Sequence, residues 1–173
     1  MTQTAKPAVD IRPAMFPNDR TIVGELFLAY AQSLPISLDF QNFEHELAGL
    51  PGKYAVGNGG ALYLAYTTSS TEPFSEQVIG CVAIRPFTPP ESCELKRLYL
   101  TPESRGLGVS KILMDAALCK AKELGYKEML LDTLRSMTPA RRLYEGYGFV
   151  ETEEYYKSVE DAVFYRLVLR ANY

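Results

Sequence analysis

The sequence predicts a single-domain α+β fold in which helices flank a mixed sheet. Apolar residues repeat at strand spacing in some stretches and at helical spacing in others, and the two kinds of stretch are interleaved. The chain has 173 residues, a length typical of one domain, and 47% of them are hydrophobic, which is enough to form a substantial core. No internal repeat or low-complexity tract divides the chain. The predicted element order is β-α-α-β-β-β-α-β-α-β-β.

The first half is predicted to hold a strand, two helices and a strand pair. Asn18 or Asp19 is placed to cap the first helix, because a side-chain oxygen there can accept from exposed amides. Asp39 is placed in the same way before the second helix, and Pro51-Gly52 ends it. The predicted elements are a strand from Val9, a helix through 22–30, a helix over 39–49, strands over 61–67 and 78–86, and a polar loop over 68–77.

The second half contains the clearest helix, which follows a glycine-bearing turn. Its apolar residues form one stripe, and Gly125 is placed to end it. A later helix opens at Thr138-Pro139, with Thr138 as cap and Pro139 in the first turn, and ends at Gly148. The predicted strands of this half are 95–100, 129–132, 149–156 and 162–169.

Composition excludes several classes of function. Eighteen basic and twenty-one acidic residues give a net charge of −3, so the sequence predicts no nucleic-acid partner. Cys81, Cys93 and Cys119 form no CxxC pair, which fits reduced thiols in an intracellular protein. His45 is the only histidine, which excludes a multi-histidine zinc site, and no metal is expected.

We expect residues 1–8 to form a flexible tail and residues 9–173 to form the domain. No stretch approaches 18 consecutive apolar residues, so we expect no membrane span, no signal peptide and no membrane partner. The expected location is cytoplasmic, with the nucleus not excluded.

The segment from Arg105 to Ser110 (RGLGVS) joins a predicted strand to the long helix. Gly106 and Gly108 remove side chains where a ligand approaches the backbone. The first amides of a helix have no internal partners and, with the helix dipole, favour an anion such as a pyrophosphate. The alternative is a strand-to-helix turn that merely needs glycine. A Rossmann loop would need glycine at Lys111, and the Gly-Lys-Ser/Thr of a phosphate-binding P-loop is missing.

The segment from Leu98 to Ser110 resembles the acetyl-CoA signature of the GNAT family of N-acetyltransferases, whose core is Arg/Gln-x-x-Gly-x-Gly/Ala. Arg105 and Gly108 match this core, and Ser110 stands where Gly or Ala is usual. The segment from Thr138 to Phe149 resembles the Ala-x-x-Leu-Tyr-x-x-x-Gly-Phe helix and strand of the same family.

Spacing and element order agree with this family over residues 9–170. The resemblance implies a GNAT-like fold, with a mostly antiparallel sheet and a splayed central strand pair. Residues 94–156 also resemble a broad subgroup of largely unassigned substrate, so no acceptor is named. The resemblance implies a direct transfer of an acetyl group from acetyl-CoA to a primary amine, carried by a small molecule or a peptide.

The resemblance also assigns the cofactor-binding residues. The backbone of the strand would pair with pantetheine, and the loop amides would bind the pyrophosphate. The residues that the resemblance implies are Leu98, Tyr99, Leu100, Arg105, Gly106, Leu107, Gly108, Val109 and Ser110.

Tyr144 matches the family's tyrosine at the cofactor sulfur, where a phenol can protonate a departing thiolate. The alternative is that Tyr144 is only an aromatic residue of the buried helix face. Tyr147, on nearly the same face, is the other candidate for the proton donor. Glu94 matches a position where a carboxylate draws the proton of the amine, often through water. Its alternatives are a solvated charge at the strand end and a partner for Lys96.

Further charged residues lie close to these positions in the sequence. Lys96 and Arg97 flank the expected cleft, and Asp132 ends the strand that follows the long helix. One interpretation of Arg97 is that its planar guanidinium binds a carboxylate of the acceptor, and the alternative, which is the more common, is a surface or structural ion pair. Cys93 is not expected to act as a nucleophile.

The sequence leaves two other functions open. A non-catalytic acyl-CoA-binding module could use the same fold, although Tyr144 argues for an enzyme. A nucleotide-binding protein could use the glycine loop, although the missing third glycine argues against it.

Overall fold

The structure is a computed structural model that describes residues 6–68 and 75–170, apart from the side chain of Phe40. Four helices and seven strands follow one another in the predicted order. Their bounds are β1 (Val9–Pro13), α1 (Arg20–Ser33), α2 (Phe43–Ala48), β2 (Ala61–Thr68), β3 (Glu76–Pro86), β4 (Ser92–Leu100), α3 (Val109–Glu123), β5 (Glu128–Leu134), α4 (Thr138–Gly146), β6 (Val150–Thr152) and β7 (Ala162–Val168).

The seven strands form one sheet in the order β1-β2-β3-β4-β5-β7-β6. Every neighbouring pair is antiparallel except β4 and β5, which run parallel. A parallel pair needs a crossover connection, and α3 provides it here. This arrangement confirms the predicted mixed, mostly antiparallel α+β sheet.

A hydrophobic core lies on each face of the sheet, because successive strand residues point to opposite faces. Val82 and Ile84 of β3 belong to the core under α3 and α4, whereas Ala83 between them belongs to the core under α1 and α2. Leu113 of α3 and Phe27 of α1 are fully buried in these two cores. Both helical layers are therefore fixed against the same central strand.

The central strands β4 and β5 diverge after a short contact. They pair only through Ser92, Cys93 and Glu94 of β4, opposite residues 128–130 of β5. Beyond Glu94 the edge of β4 that faces β5 has no strand partner, although β5 continues to pair with β7 as far as Leu134. This divergence confirms the predicted splay and opens a gap between the two strands.

A bulge in β4 marks the start of the open part. The register with β3 shifts between Cys81 and Ala83, and Arg97 has a φ of 58°. Positive φ is uncommon for a non-glycine residue, and a bulge re-aims the side chains of its strand. Lys96 and Arg97 can therefore both line the gap, although they are adjacent in sequence.

The predicted second helix over 39–49 is wrong as a continuous element. A 3₁₀ turn at Asp39–Gln41 is separated from α2 by Asn42, whose φ of 55° is left-handed. A left-handed residue cannot continue an α-helix, so the segment changes direction there. Asp39 lies inside the 3₁₀ turn rather than at the start of an α-helix.

Two predicted helix caps are also wrong in detail. Asp19 precedes α1, but its carboxylate accepts from the amide of Met15, 2.7 Å away, and not from an amide of the helix. Thr138 is the first residue of α4, and Met137 takes the cap position. In both cases the conformation of the turn before the helix determines which residue takes the cap position and which amide its side chain can accept from.

Two predicted strands have different lengths in the structure. β4 begins at Ser92, three residues before the predicted start, and β6 covers only Val150–Thr152 of the predicted 149–156. Tyr155 and Tyr156 lie outside β6, and their hydroxyls bond to carboxylates on β4 and β5. Of the predicted tail, residues 1–5 lie outside the described residues, as do 69–74 of the predicted loop and 171–173 of the predicted domain.

Gly80 of β3 lies close to both β4 and α3. A Cβ atom at this position would lie 2.9 Å from the Tyr99 carbonyl oxygen and 3.3 Å from Leu113 Cδ1. We expect Gly80→Ala to lower the free energy of unfolding by about 1–3 kcal/mol, because the backbone of β4 must move. Chemical denaturation measures this change.

Gly24→Ala is the matched control, because a Cβ at Gly24 in α1 meets nothing within 4 Å. We expect it to raise the free energy of unfolding by about 0.5–1 kcal/mol, since alanine is the better helix former. Equal effects of the two substitutions would contradict the close approach at Gly80.

Candidate active site

The gap between β4 and β5 opens into a cleft of about 660 Å³. Its walls come from β4, β5, α1, α4 and the turn before α3. The residues that line it are Tyr30, Ser33, Gln41, Leu95, Lys96, Arg97, Leu98, Tyr99, Leu100, Arg105, Ser110, Leu131, Asp132, Thr133, Met137, Pro139, Ala140, Leu143 and Tyr144. The cleft is therefore apolar along α4 and polar where β4 and β5 begin to separate.

Three of the predicted cofactor residues form one wall of this cleft. Leu98, Tyr99 and Leu100 are half-buried residues at the end of β4 that line it. Their strand pairs with β3 on one side and has no strand partner on the other. An unpaired strand edge offers backbone donors and acceptors to an extended ligand.

The turn before α3 forms a second hollow of about 400 Å³ next to the cleft. Gly106 and Gly108 line it with φ values of 75° and 71°, and a Cβ at either position would meet nothing within 4 Å. Arg105 and Ser110 line both the hollow and the cleft. The two spaces are therefore joined at the start of α3.

The amides of this turn are available to a ligand. Within the described residues, the amides of Gly106, Gly108, Val109 and Ser110 donate to no backbone carbonyl. Leu107 differs from its neighbours, because its amide donates to the Ser104 carbonyl and its side chain packs against the core. The unpaired amides and the start of α3 together form an anion-binding environment.

Tyr144 reaches the cleft from α4. Its ring packs edge-on against Phe149 and at a tilt against Tyr165, with ring centroids 5.9 and 6.3 Å away. No group in the described part of the chain hydrogen-bonds its hydroxyl. Burial raises the pKa of Tyr144 above its ordinary value, and Tyr30 and Asp132 add to the shift. The hydroxyl therefore stays protonated at neutral pH.

Tyr147, the rival of Tyr144, faces away from the cleft. Its hydroxyl donates to Asp115 Oδ1 at 2.6 Å and lies 3.0 Å from the Lys111 carbonyl, both on α3. It does not line the cleft. Tyr144 is thus the tyrosine of α4 that faces the ligand space.

Glu94 is fully buried and does not line the cleft. Its Oε1 accepts from Arg85 Nε at 2.9 Å, and its Oε2 accepts from the Tyr155 hydroxyl at 2.8 Å. Lys96 Nζ lies 4.0 Å from Oε1 and does line the cleft. Any exchange of protons between Glu94 and a ligand must therefore pass through another group.

A row of polar side chains lies beside Glu94 at the polar end of the cleft. Lys96 Nζ donates to Gln41 Oε1 at 3.1 Å and lies 3.6 Å from Asp132 Oδ1. Asp132 Oδ2 accepts from the Tyr156 hydroxyl at 2.7 Å, and Gln41 Nε2 donates to that hydroxyl at 3.2 Å. Burial lowers the pKa of Lys96, against the opposing effect of Asp132 and Glu94.

Arg97 forms the ion pair expected of it. Its Nε donates to Glu46 Oε2 at 2.8 Å, and its guanidinium lies over the rings of Tyr30 and Phe43. The contact joins α2 to β4. Only 3% of Arg97 is exposed, so the ion pair belongs to the interior.

Cys93 and His45 take no part in the cleft. Cys93 is buried, and burial raises the pKa of its thiol to about 12, which keeps it protonated and unreactive. His45 lies exposed on α2. No group of three or more His, Cys, Asp or Glu among the described residues is arranged to hold a metal ion.

Sequence reasoning missed Gln41 and assigned no specific role to Tyr156. Gln41 accepts from both Lys96 and Arg97, and Tyr156 holds Asp132. Neither residue belongs to a motif, and both come from irregular segments. In the sequence, only the adjacent tyrosines at 155 and 156 indicated a polar site, and the predicted strand over 149–156 included both of them.

None of the described helices is long and apolar enough to cross a membrane.

The Acetyltransferase (GNAT) family model matches residues 38–149, which is more than half of the chain. An uncharacterized N-acetyltransferase of Schizosaccharomyces pombe is 38% identical over 164 residues, covering 94% of this chain and 96% of that protein. An uncharacterized N-acetyltransferase of Dictyostelium discoideum is 29% identical, covering 84% and 92%.

Solved structures share the fold at lower identity. A GNAT-family acetyltransferase from Staphylococcus aureus has a TM-score of 0.74 at 20% identity, with 94% of this chain and 100% of that chain covered. The yncA structure from Salmonella typhimurium, solved with its cofactor acetyl-CoA, has a TM-score of 0.69 at 18% identity, with 95% and 96% covered. The chain therefore belongs to the acetyltransferase (GNAT) family and is an N-acetyltransferase dependent on acetyl-CoA.

Proposed function

We propose that this protein transfers the acetyl group of acetyl-CoA directly to a primary amine, with Tyr144 as the general acid. One observation carries the proposal. The unpaired edge of β4 lines the cleft next to the unpaired amides at the start of α3, and Tyr144 lines the same cleft. A strand edge, an anion-binding turn and a proton donor in one continuous space suit a thioester of coenzyme A.

The geometry of the turn supports acetyl-CoA as the acyl donor. The space at Gly106 and Gly108 leaves room for a pyrophosphate against the backbone. Arg105 adds a positive charge at the junction of hollow and cleft. The backbone of Leu98–Leu100 would then hold the pantetheine arm, because its hydrogen-bonding groups on the β5 side have no strand partner.

The chemistry needs two proton movements and no metal. The acceptor amine must lose a proton to become a nucleophile, and the thiolate that leaves must be protonated or stabilised. The protonated hydroxyl of Tyr144 suits the second role, because no described residue hydrogen-bonds it and it can therefore donate to the sulfur. Holding both reactants in the splay supplies the positioning.

We propose that Glu94 takes the proton of the amine indirectly, through water or through Lys96. Its burial excludes direct contact with the acceptor, while Lys96 lies between Glu94 and the cleft. The acceptor is a primary amine of a small molecule or a peptide. A non-catalytic acyl-CoA-binding module is the weaker alternative, since it gives no reason for a Tyr144 hydroxyl that no described residue hydrogen-bonds.

Ser110→Glu tests the anion site. Ser110 is the second residue of α3, where a carboxylate suits the helix dipole, so the fold should be retained. We expect the affinity for acetyl-CoA, measured by isothermal titration calorimetry, to fall about tenfold or more, because the new charge faces the pyrophosphate.

Ser110→Gln is the control, because it adds similar bulk without charge. Its loss of affinity should be clearly smaller. The same affinity in wild type and Ser110→Glu would contradict the pyrophosphate assignment. Gly108 is less suitable for this test, because its positive φ strains any side chain.

Tyr144→Phe tests the general acid. The substitution keeps the ring packing and removes the hydroxyl. We expect turnover in a thiol-release assay to fall at least about tenfold, since general acids typically contribute about 10²–10⁴-fold, while acetyl-CoA affinity barely changes.

Tyr147→Phe is the matched control on the same helix, and it should leave turnover close to wild type. A Tyr144→Phe enzyme with wild-type turnover, under conditions where chemistry limits the rate, would make Tyr144 a packing residue.

Glu94→Gln tests the indirect base. We expect turnover to fall most at neutral pH and to recover partly in alkali, where more of the amine is already unprotonated. The pH profile of turnover measures this change. Glu128→Gln is the control, because Glu128 is another strand glutamate in an ion pair, with Arg166, outside the cleft. If the two variants have the same profile, the role of Glu94 is structural.

A further inference from the structure

Three buried or nearly buried carboxylates lie at or next to the polar end of the cleft, and their cation partners are unequal. Glu94 has Arg85 Nη2 at 2.7 Å and Lys96 at 4.0 Å. Glu46 has Arg97 at 2.8 Å. Among the described residues, Asp132 has only Lys96, at 3.6 Å. Of the three, Asp132 thus has the weakest compensation of its charge.

Gln41 is the hydrogen-bond partner of Lys96 at this end of the cleft. Its Oε1 accepts from Lys96 at 3.1 Å and from Arg97 at 3.0 Å, whereas Lys96 Nζ lies 3.6 Å from Asp132 Oδ1, which is too long for a hydrogen bond. Gln41 belongs to the 3₁₀ turn at Asp39–Gln41.

The two oxygens of Asp132 also differ. Oδ2 accepts from Tyr156, which fixes the orientation of the carboxylate. Oδ1 accepts no hydrogen bond from any described residue, although an ionised carboxylate can accept several. The Asp132 side chain is 12% exposed, and it is the only acid among the described residues that line the cleft.

Among the described residues, no cation donates a hydrogen bond to Asp132 Oδ1 from the cleft. We propose that Asp132 Oδ1 binds the ammonium group of the acceptor, with Tyr156 and Gln41 as the residues that position it. This inference rests on the proposed function, because it names the substrate contact of the same site. It deepens that function by making Asp132 the residue that selects a cationic amine over a neutral or acidic compound.

The position of Asp132 fits the rest of the site. Asp132 and Tyr144 both line the cleft, and the charge of Asp132 contributes to the raised pKa of Tyr144. Lys96 lies between Asp132 and Glu94, at 3.6 and 4.0 Å. An ammonium at Oδ1 would lie beside the groups proposed to remove its proton.

The test measures binding of n-butylammonium to the protein in complex with coenzyme A, by protein-observed NMR titration. 1-Butanol is the neutral probe of the same size. We expect wild type to bind n-butylammonium more tightly than 1-butanol. We expect Asp132→Asn to bind n-butylammonium about tenfold or more weakly than wild type, because a hydrogen bond to a charged group is lost.

Asp115→Asn is the matched control. Asp115 also accepts from a tyrosine hydroxyl, that of Tyr147, but lies outside the cleft, so this variant should bind n-butylammonium like wild type. A readout that needs no variant is a nuclear Overhauser contact, in the wild-type protein, between n-butylammonium and side-chain protons of Asp132 or Tyr156.

Equal affinity of wild type for the two probes, or equal affinity of wild type and Asp132→Asn for n-butylammonium, would overturn the proposal. Isothermal titration with acetyl-CoA distinguishes a failure of the Asp132 assignment from a failure of the proposed function. If wild type binds acetyl-CoA and shows no preference for n-butylammonium, only the Asp132 assignment fails. If wild type does not bind acetyl-CoA, the proposed function fails first.

Discussion

The short contact between β4 and β5 is the constraint on which the rest of this site depends. Only three residues of each strand pair, from Ser92 to Glu94 on β4, before the strands separate. Buried backbone groups that lose a ladder partner need another one, and an extended ligand can supply it. The same separation admits the side chains of Lys96 and Asp132 to the cleft. The unpaired edge of β4 and the polar end of the cleft thus have one structural origin.

The fold supports this opening from both faces. Leu113 and Met114 of α3 are fully buried under one face, and Val23 and Phe27 of α1 under the other, so the central strands cannot close the gap by sliding. The bulge at Arg97 adds a local turn of the strand, and the Glu46 ion pair fixes it. Packing therefore maintains the cleft, and the polar contacts set which groups face it.

The polar end of the cleft joins segments that are far apart in the chain. Gln41 comes from the turn before α2, Lys96 from β4, Asp132 from β5 and Tyr156 from the segment after β6. Buried charges need partners, and each member here satisfies another. Asp132 is the member whose second oxygen has no hydrogen-bond donor among the described residues, so the network is incomplete on the side where a substrate would enter.

The sequence by itself determined the order of the strands and helices, the glycine turn before α3 and the placement of Tyr144 on the next helix. These features depend on local periodicity and on residues whose backbone behaviour is distinctive, such as Gly106 and Gly108. The tertiary structure alone decided that Tyr147 faces α3, that Glu94 is fully enclosed and that Gln41 hydrogen-bonds Lys96. Those outcomes depend on contacts between residues up to 115 positions apart, such as Gln41 and Tyr156, which no local pattern encodes.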